Sequence, residues 1–242
     1  MASAAPLFHS ATGRDRYATL RASLAPHADL FRDADVLDFG ASYALSMCAL
    51  HELGARSVVG VEPEQWRVDE GLETLARLGH PPTLYCVEDT RHLPFADASF
   101  DVVLANAVFE HIPQPRDAYL REVWRVLRPG GHLIINETPN KYFPIDKHTT
   151  KLWFNHWLPS HVAKRRAYRR GRYSDNRIPW DYSGWRGMGY FEMVRPLTGC
   201  ELIPETARVR HRLFARLGIP ASILDPYPCW VLRKHHHPGS ER

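Results

Sequence analysis

Four short polar stretches carry the residues best suited to chemistry, and each directly follows an apolar run. The first is Asp38-Phe39-Gly40-Ala41-Ser42-Tyr43-Ala44, where a glycine lets the backbone approach a ligand and small neighbours keep the turn tight. The second, Glu62-Pro63, sets a carboxylate where it can accept hydrogen bonds from both hydroxyls of a ribose. The third, Glu88-Asp89-Thr90, brings a carboxylate that can accept a hydrogen bond from an adenine amino group. The fourth runs from Asn106 through Ala107 to His111 and would border the reactive end of such a ligand. Each signal is weak alone. Their order and spacing together are much stronger.

The elements that must position these stretches follow from hydrophobic periodicity. The pattern predicts a helix over 14–31, a strand over 35–39 (DVLDF), and a helix over 44–53 that ends at Gly54. A strand at 57–61, a helix at 65–78 and strands at 83–87 and 100–105 come next. A helix over 115–127 is stopped by Pro129-Gly130-Gly131 and leads into a strand at 132–136. Residues 138–187 then break the rhythm with Trp, Tyr, Arg, His and Pro, and read as an insertion. The alternation resumes with a helix at 188–197, a strand at 200–204, a helix at 208–217 and a last strand at 229–233. Such alternation predicts a single α/β domain over 1–242, with a mostly parallel sheet covered by helices. Open sheets of this kind bind ligands at the carboxyl ends of their strands, where the four polar stretches fall.

Composition narrows the class. The chain has 242 residues, 44% hydrophobic and 24% charged, which excludes a disordered or fibrous protein. Its net charge of +4 is unevenly spread: eleven cations face three acids between Lys141 and Arg186. That excess suggests an anionic partner or surface, with a solvated face as the competing reading. The cluster Trp153, Phe154, Trp157 and Leu158 stands just before Pro159 and a basic run over 164–172 that includes Arg166. It reads as a cap packed on the core, as a pocket for a hydrophobic or anionic small molecule, or as a peripheral membrane contact. Nucleic acid ranks lower, because no RNA-binding module accompanies it. Cys48, Cys86, Cys200 and Cys229 are far apart, so no disulfide framework is expected. The N-terminus lacks the basic start and apolar run of a signal peptide, and no stretch approaches a membrane span. A cytoplasmic setting is expected, with membrane association as a variant of it.

The run Leu93-Pro94-Phe95-Ala96-Asp97-Ala98-Ser99-Phe100-Asp101-Val102-Val103, then Asn106 to His111, then Arg125-Val126-Leu127-Arg128-Pro129-Gly130-Gly131, closely resembles the S-adenosylmethionine-dependent class I methyltransferases. It is most similar to their type 11 group, which includes the ubiquinone and menaquinone C-methyltransferases. The resemblance spans roughly 36–139. It implies a Rossmann-like seven-stranded sheet of order 3-2-1-4-5-7-6, the last strand antiparallel, with helices on both faces and 138–187 as an acceptor-binding cap after strand five. It implies S-adenosylmethionine as cofactor, with Asp38, Gly40, Ala41 and Ser42 in the loop at its methionine end. Glu62 would take the ribose with Pro63 beside the adenine, Asp89 and Thr90 the adenine amino group, and Asn106 and Ala107 the methionine moiety. Tyr17 is a weaker analogue of a residue reaching the cofactor carboxylate.

One departure stands out. The family writes three glycines after strand one, whereas here Ser42 and Ala44 occupy the second and third positions. The expected activity is methyl transfer to a small-molecule or lipid-linked acceptor through O-, N- or C-methylation. The alternatives are a binding or regulatory protein without turnover, or an RNA methyltransferase. A hydroxyl acceptor calls for a general base, and His111, His148 and His156 are the candidates. Trp153, Trp157 and Arg166 are expected to contact the acceptor. Asp146, His148, His156 and His161 match no standard zinc spacing, and no metal is expected.

Overall fold

The computed structural model describes residues 11–174, 178–203 and 225–235. Its strands are β1 (Asp35–Phe39), β2 (Ser57–Glu62), β3 (Leu84–Cys86), β4 (Phe100–Asn106), β5 (Leu127–Asn136), β6 (Cys200–Ile203) and β7 (Trp230–Lys234). They form one sheet in the order β3-β2-β1-β4-β5-β7-β6. The pairs from β3 to β5 are parallel, and β7 runs antiparallel to both β5 and β6. This is the Rossmann-like order that the sequence resemblance implies.

Strands inside such a sheet are covered on both faces and read as continuous apolar runs. In β1, Val36 to Phe39 are all buried, and neighbouring side chains enter different cores. Val36, Val58 and Leu104 pack against α1 (Ala11–Leu24), α3 (Leu45–Glu52) and α4 (Gln65–Arg77) through Leu20, Met47, Leu50 and Leu75. Leu37, Phe39 and Val103 pack on the other face against α5 (Asp117–Val126) and α7 (Tyr190–Val194), through Leu120, Val123, Trp124 and Met193. Full burial of side chains this large contributes about 1.5–3 kcal/mol apiece.

The most recognisable part of the sequence is largely a clamp beneath the sheet. Arg125 donates to the Leu93 and Phe95 carbonyls at 3.2 and 2.9 Å and to both oxygens of Glu122. Arg128 binds Asp35 and Asp101 at 3.1 and 2.7 Å, tying β1 to β4 at their amino ends. These residues hold the strands in register, and the opposite ends of the strands are left for ligands.

The two largest boundary differences from expectation have local causes. The helix expected over 14–31 breaks after Leu24 into a 3-10 turn, Ala25–His27, and a short helix α2 (Ala28–Phe31). Pro26 lies in the turn and has no amide hydrogen to continue an α-helix. β5 begins at Leu127 rather than at 132, because Pro129-Gly130-Gly131 ends α5 without ending the strand. The register shifts opposite Phe100 and Val102, and a Cβ on Gly131 would meet the Asp101 carbonyl at 2.5 Å. Proline and glycine fit a strand at such a bulge. The helix expected over 208–217 lies outside the described residues.

Residues 138–187 leave β5 and return beside themselves. The Met188 amide donates to the Pro139 carbonyl at 2.8 Å and the Lys141 amide to the Met188 carbonyl at 2.9 Å. Between these ends, α6 (Ser160–Arg169) buries Ala163 and Ala167 against Trp180 and Trp185, a small core separate from the two on the sheet. Among the described residues, no helix is long and apolar enough to cross a membrane.

Candidate active site

β1 and β2 end side by side, and the chain turns sharply at Gly40. The Gly40 and Ala41 amides both donate to the Val61 carbonyl, at 2.9 and 3.0 Å. Gly40 has φ +79°, and a Cβ there would lie 2.6 Å from Val108 Cγ2. Glycine is required here twice over, by conformation and by space. Ser42 and Ala44, which stand where the family writes glycine, take φ +48° and +63°. The loop therefore keeps a left-handed backbone although two of its three residues carry a Cβ, at about 1–2 kcal/mol each.

The retained shape aims the Ser42 amide at Glu62 Oε2, 3.0 Å away. Glu62 is 3% exposed, and Arg67 Nη1 lies 3.7 Å from its other oxygen. Burial pushes the Glu62 carboxyl above the usual range, with Arg67 and the Ser42 amide opposing. Asp38, buried at the end of β1, accepts from Ser46 Oγ at 2.5 Å, while its Oδ1 has no hydrogen-bond partner among the described residues. Burial raises its pKa to about 7.

Relief of left-handed strain makes a sharp prediction for the two replaced glycines. In Ser42→Gly, the gain of about 1–2 kcal/mol outweighs the roughly 0.5–1 kcal/mol of extra freedom that glycine has when unfolded. Stability in urea should rise by about 0.5–1 kcal/mol. Ala44 is fully buried, so Ala44→Gly also forfeits about 0.8 kcal/mol of methyl burial and should be near neutral. A loss of stability in Ser42→Gly would contradict the strained loop.

Further along the edge, Asp89 is engaged rather than open. Arg91 Nε and Nη2 reach its two oxygens at 2.7 and 3.1 Å, and His92 Nδ1 lies 3.1 Å from Oδ2. The Arg91 and His92 bonds hold the Asp89 carboxyl well below the usual range. Thr90 beside it is buried, and Pro63 is exposed. At the end of β4, Asn106 accepts from Asn136 Nδ2 at 2.7 Å and donates to Glu137 at 3.3 Å. Ala107, at φ +54°, turns the chain toward Val108 over Gly40. Tyr17 packs beside α3, and burial and a hydrogen bond with Glu52 raise its hydroxyl pKa.

The histidines separate. His111 and His148 meet edge to face with ring centroids 5.5 Å apart. Glu110, 1% exposed, sits beside them, and burial raises its pKa to about 7. Burial also holds His148 below the usual imidazole range. His156 takes no part in this cluster: it is buried under Trp157, with ring centroids 5.8 Å apart. A cavity of about 410 Å³ opens next to the cluster, lined by Glu110, Arg116, Asp181, Tyr182, Trp185 and Arg186 among others. Trp153, Trp157 and Arg166 are not among its lining residues. They gather instead on the outer face, where Arg166 holds the Trp153 carbonyl at 2.8 Å and the Phe154 and Trp157 rings lie 4.9 Å apart. Sequence reasoning placed Glu110 only within the 106–111 stretch, counted Arg186 only among the insertion's cations and gave Arg116 no role. A glutamate directly before a candidate histidine was the available signal.

Residues 37–135, which hold β1 to β5 almost entire, match a family model described as "Methyltransferase domain". A demethylmenaquinone methyltransferase of Clavibacter sepedonicus is 33% identical over 61% of this chain and 56% of its own length. An uncharacterized methyltransferase of Mycobacteroides abscessus is 36% identical over 44% of this chain and 40% of its own. The chain thus spans about half the length of the curated relatives it matches. The solved structure of a putative S-adenosyl-L-methionine-dependent methyltransferase from Methanococcus maripaludis is 13% identical and covers 93% of this chain and 90% of its own, with a TM-score of 0.55, a likeness of fold alone. The strand order is that of the Rossmann-like methyltransferase fold, and the strands that bear the site are similar to the methyltransferase domain of these relatives.

Proposed function

We propose that the chain transfers a methyl group from S-adenosylmethionine to a small-molecule or lipid-linked acceptor. The observation that carries this reading is the loop after β1, which keeps left-handed backbone at Ser42 and Ala44 without the glycines that adopt it freely. Strain of this kind persists where the surrounding structure holds it, and it gathers at binding sites. The residues also fit the cofactor: Asp38 Oδ1 is a buried acceptor with no hydrogen-bond partner among the described residues, and the Glu62 carboxylate ends β2.

When bound, S-adenosylmethionine supplies a methyl group on a sulfonium that needs no further activation. The work left to the chain is to bind, orient and exclude water. Glu62 would accept the ribose hydroxyls while the Ser42 amide donates to its Oε2 and fixes the carboxylate. Asp38 accepts an N–H at the methionine end, and Asn106 and Ala107 border it. Asp89 takes the adenine amino group when Arg91, half exposed, moves aside. His111 and His148, beside Glu110 but not among the cavity's lining residues, would take an acceptor proton, and His156 supports the segment from within.

The finer reading of the acceptor rests on 138–187 as a cap. Its cavity takes the reacting group. Its outer face exposes Trp153, Phe154 and Trp157 at 56%, 46% and 52%, beside the cations of α6. Aromatic side chains with cations behind them suit an acceptor whose tail stays in a lipid surface. The Clavibacter relative's name denotes a menaquinone precursor, a molecule of that type. The test is incubation with methyl-labelled S-adenosylmethionine and, separately, lipid extract, aqueous metabolites and RNA. Label in a lipid or small molecule, with release of S-adenosylhomocysteine, is the expected result. Label only in RNA, or binding without release, would favour the alternatives. Trp157→Ala should lower turnover about tenfold and leave S-adenosylhomocysteine affinity unchanged. Equal loss of both would place the segment in the cofactor site.

A further inference from the structure

We propose that Glu110, His111 and His148 form a binding site for a divalent first-row transition metal ion. One ligand atom from each lies within 4.8 Å of the other two. Metal bonds of about 2.0–2.2 Å bring neighbouring donors roughly 3.3 Å apart, so small side-chain rotations would close the set. Two imidazoles and one carboxylate are a recurrent three-ligand set for zinc and for ferrous iron, and they leave positions open.

The surroundings prepare each ligand. His111 Nδ1 is 2.7 Å from the Tyr182 carbonyl oxygen. A carbonyl only accepts, so Nδ1 carries the proton and Nε2 keeps its lone pair, the arrangement that orients metal-binding histidines. That Nε2 lies 3.9 Å from Glu110 Oε1. Glu110 is 1% exposed; its Oε2 accepts from Thr138 Oγ1 at 3.0 Å, and its Oε1 has no hydrogen-bond partner among the described residues. A buried carboxylate oxygen left without a partner is unfavourable, and a cation is the partner it lacks.

Gly184 leaves room for the His148 ring to lie beside Glu110. A Cβ there would lie 2.6 Å from His148 Cδ2, 2.8 Å from its Nε2 and 3.2 Å from Glu110 Cγ. The His148 loop is tied down on both sides: the His148 amide donates to Asp146 at 3.1 Å, and Thr149 Oγ1 donates to the Ser183 carbonyl at 2.6 Å. Val108, two residues before Glu110, covers Gly40, so the trio borders the cofactor loop. Glu110 also lines the cavity, and an acceptor oxygen there would complete the coordination sphere. That last role rests on the methyl-transfer reading; metal binding itself does not.

The test uses the full chain with His235, His236 and His237 changed to alanine, since a terminal histidine run binds the same ions. After dialysis against Zn²⁺ or Co²⁺, one ion per chain is expected, with visible absorption bands from bound Co²⁺. His148→Ala and the isosteric Glu110→Gln should each weaken binding at least tenfold, with the circular dichroism spectrum and S-adenosylhomocysteine affinity unchanged. Absence of stoichiometric metal, or equal affinity in both variants, would overturn the proposal. Failure to bind S-adenosylhomocysteine while metal is retained would overturn only the methyl-transfer reading.

Discussion

Glu62→Ala is expected to weaken S-adenosylmethionine binding by roughly 100-fold or more, the largest loss at any single position of the cofactor site. A carboxylate accepting two hydroxyl hydrogen bonds forms charge-assisted contacts of about 1.5–3 kcal/mol each. Since about 1.4 kcal/mol is tenfold in affinity, losing both reaches that range. Glu62→Gln keeps one acceptor oxygen and should lose only about tenfold. Burial raises the Glu62 pKa, so its charged form is lost on acidification sooner than that of an ordinary glutamate. Affinity should therefore fall on acidification in the native chain, and the fall should be shallower in Glu62→Gln, where Asp38 still titrates. Equilibrium dialysis with labelled cofactor across pH measures both effects. An affinity in Glu62→Ala within threefold of the native value would remove Glu62 from the site.

Arg116→Ala should be the most destabilising single change outside the hydrophobic cores. Arg116 is 3% exposed and joins three parts of the chain. Its Nε donates to the Ile112 carbonyl at 2.8 Å, and its Nη1 reaches the Gly187 carbonyl at 2.8 Å and Glu192 Oε1 at 2.9 Å. Burial pulls its pKa down while Glu192 opposes, so the pair is held against a desolvation penalty. Truncation removes the donor from two carbonyls and the nearest cation from half-buried Glu192, which Gln114 Nε2 still holds at 2.8 Å, at about 3 kcal/mol. For a chain of this size the melting temperature should drop by roughly 10 °C. Arg116→Lys retains charge but not the fork of donors and should recover only part. A loss below about 1 kcal/mol would show that residues near 187 are held by other contacts.

The sequence conveyed the framework well because strands buried on both faces leave long apolar runs, and the polar residues after them are short and ordered. Asp38, Glu62 and Asn106 could be placed for that reason. Other features depended on distant packing. Pro129-Gly130-Gly131 reads as a stop, and only the partner strand shows that it forms a bulge within β5. Ser42 and Ala44 have no local preference for left-handed backbone, so their conformation is imposed by the Glu62 contact and the buried start of α3. His148 is separated from His111 by α5, β5 and the loop that follows, and no spacing rule joins them. Trp153, Trp157 and Arg166 form one group, as aromatic and basic neighbours would, but on the outer face and not in the cavity.

The loop after β1 departs from the pattern that the sequence resembles, with Ser42 and Ala44 in place of two glycines. The loop keeps a left-handed shape at the expense of strain, and the central proposal is that this loop binds S-adenosylmethionine. Calorimetric titration of the native chain with S-adenosylhomocysteine tests that claim most directly. The account predicts one site per chain with micromolar affinity. No heat of binding at millimolar ligand would contradict it.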